Sequence, residues 1–159
     1  MKSCFLFGHA DCPDDILLRI EAAIEKIYVQ REVSVFYVGD RGRFDSLAAT
    51  AVKRVKLRHP DIQLHLLLAY HPGERTVNLT DGFDGSYYPP LEGVPRQYAI
   101  VRANKFMIGC ADAFICYICI SRTWFMAPRV APSWKISCRT SGTRKSWCLS
   151  QRTRKRTVV

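Results

Sequence analysis

At 159 residues and 18.2 kDa, with 48% hydrophobic residues, the chain has room for one globular domain with its own core and no second one. A formal net charge of +10 would ordinarily point to nucleic acid or an anionic membrane, yet residues 1–112 hold 14 basic and 14 acidic residues, while residues 113–159 hold ten basic residues and no acidic one. The folded part is therefore neutral, which argues against a nucleic-acid partner and leaves the basic excess to the C-terminal stretch.

Met1 to Gly8 carries too short an apolar run for a signal peptide, and His9 and Asp11 break it at once. No segment approaches the roughly 18 apolar residues of a membrane helix, so a cytoplasmic protein with no membrane partner is expected. Cys4 to Gly8 reads as a strand buried on both faces and ending in glycine. Pro13 to Ile27 has apolar residues at 16, 17, 20, 23, 24 and 27. Pro13, Asp14 and Asp15 stand in its first turn, where unpaired N–H groups and the helix dipole favour them, which predicts an amphipathic helix. Val33 to Val38, β-branched and aromatic, is a second strand and again ends at a glycine, Gly39. Arg43 to Arg58 predicts a second helix, with Phe44, Leu47, Ala48, Ala51, Val52 and Val55 on one face. Lys53, Arg54, Lys56 and Arg58 fall mostly on the other face, and Pro60 closes the helix.

Ile62 to Ala69 is a third strand. Residues 71–94, with Gly73, Gly82, Gly85, Gly93, Pro72, Pro89 and Pro90, predict a long irregular connection of the kind that is usually functional or mobile. Pro95 to Gly109 reads as a third helix with Tyr98, Val101, Phe106 and Ile108 among its apolar positions, and Ala113 to Tyr117 as a fourth buried strand. Alternating strands and helices imply right-handed crossovers and a sheet covered on both sides. The expected class is α/β: a Rossmann-like three-layer domain with a mainly parallel sheet over residues 1–117, followed by an irregular basic tail over residues 118–159. The seven cysteines are an odd number without a disulfide framework and are expected to stay thiols. Cys116-x-x-Cys119 lacks a second ligand pair, and strand geometry would send its two side chains to opposite faces. Neither a metal nor a cofactor is expected.

Two strands end in glycine turns that lead toward helices: Phe7-Gly8-His9 and Gly39-Asp40-Arg41-Gly42-Arg43-Phe44-Asp45. In an open parallel sheet, ligands bind beyond the carboxyl ends of the strands, where helix N-termini offer N–H groups to anions. Gly39 and Gly42 would let backbone approach such a ligand closely, although the spacing is neither Gly-x-Gly-x-x-Gly nor Walker A. Tight turns alone are the competing explanation. Asp45 either caps the second helix or accepts a ligand hydroxyl. Tyr70-His71 and Tyr87-Tyr88 either pin their loops or meet the ligand. Arg102 and Asn104 stand on the third helix, two turns after Arg96; arginine suits phosphate but is equally at home on a solvated face.

Taken together, Cys4 to Gly8 with His9, the Gly39-to-Asp45 turn, Leu64 to Tyr70, and Arg102 to Ile115 resemble the SLOG superfamily. That superfamily includes the DNA-processing protein DprA, the LOG phosphoribohydrolases and many small uncharacterised bacterial proteins, the group this chain resembles most. The resemblance covers residues 4 to about 117. It implies a Rossmann-like fold that binds or senses a nucleotide or nucleotide-derived small molecule. Carried onto this sequence, the ligand positions are Gly8, His9, Gly39, Gly42, Phe44 and Asp45, with Arg102 and Asn104; Asp40 and Arg41, inside the same turn, join them. A homo-oligomer is compatible with this reading. The enzymatic alternative is phosphoribohydrolase chemistry, which needs a carboxylate at the ribose, with Asp40 or Asp45 as candidates. DprA-like binding of single-stranded DNA would need basic and aromatic residues on a domain that is neutral.

The departure from the family pattern lies beyond Tyr117. In the LOG enzymes the fourth strand leads into Pro-Gly-Gly-x-Gly-Thr-x-x-Glu, whereas here no acidic residue follows Asp112, so no catalytic residue is assigned. Residues 118–159 contain three Trp, many Ser and Thr, and no apolar periodicity. A disordered basic tail is one reading; a reading frame shifted from near Ile118 onward is the other.

Overall fold

The structure, a computed structural model of the whole chain, describes residues 1–73, 77, 79, 81–119, 133–141 and 144–152, with side chains as far as residue 117. Strand β1 (Lys2–Gly8) leads through a 3-10 turn (Asp14–Ile16) into helix α1 (Leu17–Arg31), and β2 (Val33–Val38) leads into α2 (Arg43–Lys56). Then come β3 (Gln63–Leu67), β4 (Gly85–Tyr87), a 3-10 turn (Arg96–Tyr98), α3 (Ala99–Cys110) and β5 (Ala113–Cys119). The strands lie in the order β4-β3-β2-β1-β5, all parallel. This is the α/β, Rossmann-like arrangement expected from the alternation of elements.

The chain steps outward from β1 through β2 and β3 to β4, then returns to place β5 on the opposite side of β1. That reversal makes β1 the centre of the sheet, and it explains why Cys4, Phe5 and Leu6 are all buried. Cys4 and Leu6 face the cluster built with α1 and α2, and Phe5 faces the smaller cluster built with α3. Helix α1 buries Ile20, Ala23, Ile24 and Ile27, and α2 buries Phe44, Ala48, Ala51, Val52 and Val55, both at helical spacing. Away from the sheet α1 is tied to α2 through Arg54–Glu21 at 3.0 Å and to the turn just after α2 through Arg58–Glu25 at 2.5 Å, pairs with half-exposed arginines that fix register more than they stabilise.

Helix α3 is shorter than the stretch read from the sequence, with Tyr98 in the 3-10 turn before it. Ala99, Ala103 and Met107 pack inward, whereas Tyr98 and Val101 are more than half exposed. Phe106 and Ile108 are half-buried and pack against the edge of the same cluster. The long connection also holds a strand the sequence did not predict, β4, which pairs with β3 from His65↔Gly85 to Leu67↔Tyr87.

In the stretch expected to be an irregular tail, the described backbone forms β6 (Ser133–Ser141) and β7 (Arg144–Arg152), antiparallel to each other, with β7 parallel to β5. Strand β5 would otherwise be an open sheet edge, and pairing satisfies its backbone groups. The shifted-frame reading concerns a segment of which the rest lies outside the described residues. Among the described residues no helix is long and apolar enough to cross a membrane.

Candidate functional site

The two glycine turns form one structure at the carboxyl ends of β1 and β2. The Arg43 amide donates to the Ala10 carbonyl at 3.1 Å, so the loop after β1 and the start of α2 are joined backbone to backbone. A Cβ on Gly42 would stand 2.9 Å from Ala10 Cα. The Gly42 backbone is extended (φ −144°, ψ 170°), so the glycine is required by room and not by conformation. Gly8 answers to Phe44 in the same way, because a Cβ there would lie 2.6 Å from the ring. Gly39 answers to Asp45, whose Oδ2 would be 2.8 Å from its Cβ. All three glycines are thus accounted for by close approach of protein to protein.

Asp45 is the hub of this turn. As the third residue of α2 it reaches back, and its Oδ2 accepts at 2.9 Å from the amide of Arg41, the residue before the N-cap Gly42. Burial pushes its carboxyl pKa up; the Arg41 and Gly42 amides work against that shift, and the neighbouring Asp40 carboxylate adds to it. Asp40 itself pairs with Arg41 at 2.8 Å. Arg41 also lies over the Tyr70 ring, 4.8 Å from its centroid, and Arg96 lies 5.0 Å from the same centroid. One aromatic ring therefore gathers two guanidinium groups.

Two clefts adjoin across the turn, and Gly39, Asp40, Arg41 and Asp45 line both. The larger, about 460 Å³, runs along α2 beyond the ends of β2 and β3, with Ser46, Thr50 and Lys53 on its helix wall and Leu66, Tyr70 and Phe83 opposite. The smaller, about 120 Å³, lies over the end of β1 at the switch point, between Gly8 and Gly42 on one side and Asn104 on the other. Ligand sites generally occupy roughly 300–1,000 Å³, so only the larger cleft has the room for a nucleotide-sized molecule.

Of the residues singled out in the sequence, Gly8, Gly39, Asp40, Arg41, Gly42, Asp45 and Asn104 come together around these clefts. Phe44 is fully buried beneath Gly8 and stacks on Tyr117 at 6.1 Å, so it holds up the floor and does not line either cleft. His9 is exposed beside the switch point, its amide donating to the Tyr117 carbonyl at 3.2 Å, and Arg102 is exposed on the outer side of α3; neither lines a cleft. Tyr87 packs against Tyr37 of β2 and pins the long connection to the sheet, whereas Tyr88 meets His71 within the connection itself.

No protein-family model matches this chain, and no curated protein matches it.

The cleft residues that sequence reasoning missed lie on α2 and, opposite it, at Phe83 in the long connection. Ser46, Ala49, Thr50 and Lys53 recur at spacings of three and four and form one stripe along the cleft. That stripe was readable beside Asp45, but Lys53 was grouped with the basic face instead. Among the described residues no cluster of His, Cys, Asp and Glu could hold a metal ion.

Proposed function

We propose that this chain is a SLOG-type module that binds or senses a nucleotide or nucleotide-derived ligand in the larger cleft. The observation that carries the reading is a cleft of about 460 Å³ at the carboxyl ends of parallel strands β2 and β3, against the first turns of α2. Open parallel sheets use that position for ligands. The Asp40 carboxylate stands ready to accept from sugar hydroxyls, and Tyr70 and Phe83 give the wall opposite α2 aromatic character. A cytoplasmic location goes with such a ligand.

Thermal-shift screening of a panel of nucleosides, nucleotides and dinucleotides tests the reading. At least one should raise the melting temperature of the wild type, and the shift should vanish in Thr50→Trp, which fills the cleft from an exposed helix position. A panel that stabilises neither protein would overturn it. The second reading, N-glycosidic cleavage of a nucleotide, is favoured by Asp45, a carboxyl with a raised pKa lining both clefts. Release of free base on incubation would carry that alternative, and binding without release would remove it.

A further inference from the structure

The basic run that ends α2 and continues just past it to Arg58 is neutralised residue by residue, with one exception. Arg54 pairs with Glu21, Arg58 with Glu25, and Lys56 with Asp84 at 2.5 Å. Lys53, one turn before Lys56, has no carboxylate partner among the described residues; its ammonium lies over the Phe83 ring, 4.8 Å from the centroid.

That placement is built by the loop around it. Gly82 has φ +89°, and a Cβ there would stand 3.1 Å from Lys53 Cε, so the loop presses against the lysine stem where only glycine is unstrained. The next residue supplies the ring under the ammonium. The one after it, Asp84, ties the loop down by accepting from Lys56 Nζ and from the Leu64 amide. Lys53 is half-buried and lines the larger cleft. An aromatic face compensates a desolvated ammonium only in part. Elsewhere in the cleft, Arg41 already has Asp40, and the Asp45 carboxylate is turned to backbone amides. Arg96, also without a carboxylate among the described residues, is exposed and does not line the cleft, so water can solvate it. Among the described residues that line the cleft, the uncompensated positive charge is that of Lys53.

We propose that the ligand of this cleft is phosphorylated and that Lys53 takes its phosphate, with the stem held by Gly82 and the ammonium held over Phe83. This rests on the reading of the cleft as a nucleotide site and narrows it from nucleotide-derived ligands in general to those that keep a phosphate, with Lys53 as the residue that takes it.

Titration calorimetry of the full chain with the 5′-monophosphates of adenosine, guanosine, cytidine and uridine, with the four parent nucleosides and with inorganic phosphate, tests it. The wild type should bind at least one monophosphate about tenfold or more tightly than its nucleoside, the difference expected of one charge-assisted contact. Lys53→Met should remove that difference, and Lys53→Arg should keep most of it. Thermal melts of both variants report whether they fold. Equal wild-type affinity for nucleoside and monophosphate, or full retention of the difference in Lys53→Met, would overturn the phosphate assignment while leaving nucleotide binding intact. Absence of binding by both classes would overturn the nucleotide reading itself. Lys53-dependent binding of inorganic phosphate without any nucleoside selectivity would support the anion site and reject the nucleotide.

Discussion

Gly8 has an aromatic ring where any other residue would carry its Cβ. The distance of 2.6 Å from Phe44 Cγ is too short for any real contact, so either the ring or the strand must move in Gly8→Ala. The ring has little freedom, because Phe44 is fully buried and stacks on Tyr117 with an interplanar angle of 12°. Overpacking of this kind costs about 1–3 kcal/mol. Urea denaturation of Gly8→Ala should show a loss in that range. Adding Phe44→Leu, which withdraws part of the ring volume, should recover some of it, giving non-additive free energies of the sort seen between touching residues. Strictly additive losses would mean that the two side chains do not meet. The same geometry explains what the glycine pattern could and could not reveal. Glycines at two neighbouring strand ends were visible in the sequence, but a glycine that admits a ligand and one that admits a phenylalanine are the same letter. The partner that decides between them is 36 residues away.

At the scale of elements, what could be read from the sequence divides by what holds each element together. Helices α1 and α2 were legible because their own apolar spacing defines them; only their ends differ, α1 running to Arg31 where its spacing suggested Ile27. Strand β4 was not legible. It is three residues long, Gly-Ser-Tyr, and exists by virtue of pairing with β3. Asp84 supplies what its own sequence lacks: its amide donates to the Leu64 carbonyl at 2.8 Å, and its carboxylate accepts from the Leu64 amide at 2.7 Å and from Lys56. A side chain thus extends the backbone ladder by one residue. Burial would raise the Asp84 carboxyl, but the Lys56 ammonium and the Leu64 amide together hold it below the usual carboxylate range. A lowered folded value means stability that is present above the ordinary carboxylate pKa and is lost as pH falls through the folded one. Asp84→Asn should therefore cost about 0.5–1.5 kcal/mol at neutral pH, discounted for partial exposure. Its stability curve should converge on that of the wild type under acid conditions. Parallel curves from neutral to acid pH would show that the charge of Asp84 is not what pins the loop.

Across the whole molecule the two sides of the sheet are unequally built. One carries α1 and α2 over a continuous cluster that includes Ile20, Ile24, Phe36, Val52, Leu64 and Ile115, all without solvent exposure. Among the described residues the other carries α3 alone, over Phe5, Leu67 and Leu91, with Ala103 and Met107 of the helix and Ala111 just after it. Local opening free energies follow buried apolar contact, so native-state hydrogen exchange should separate the two sides. Amides of β1, β2 and α2 should exchange only through global unfolding, and those of α3 through a smaller opening of lower free energy. Met107→Ala sharpens the test, because it removes about 2–5 kcal/mol of core packing from the weaker side. If α3 opens as its own unit, the substitution should accelerate exchange in α3 more than in β1; an equal acceleration throughout would mean that the sheet and all three helices form one cooperative unit. The outcome bears on the site, since the larger cleft is walled by α2 and the ends of β2 and β3, whereas Asn104 of the smaller cleft rides on α3. A cleft on the well-packed side keeps Lys53, Asp40 and Asp45 in place before any ligand arrives, and preorganisation of that kind lowers the ordering cost of binding.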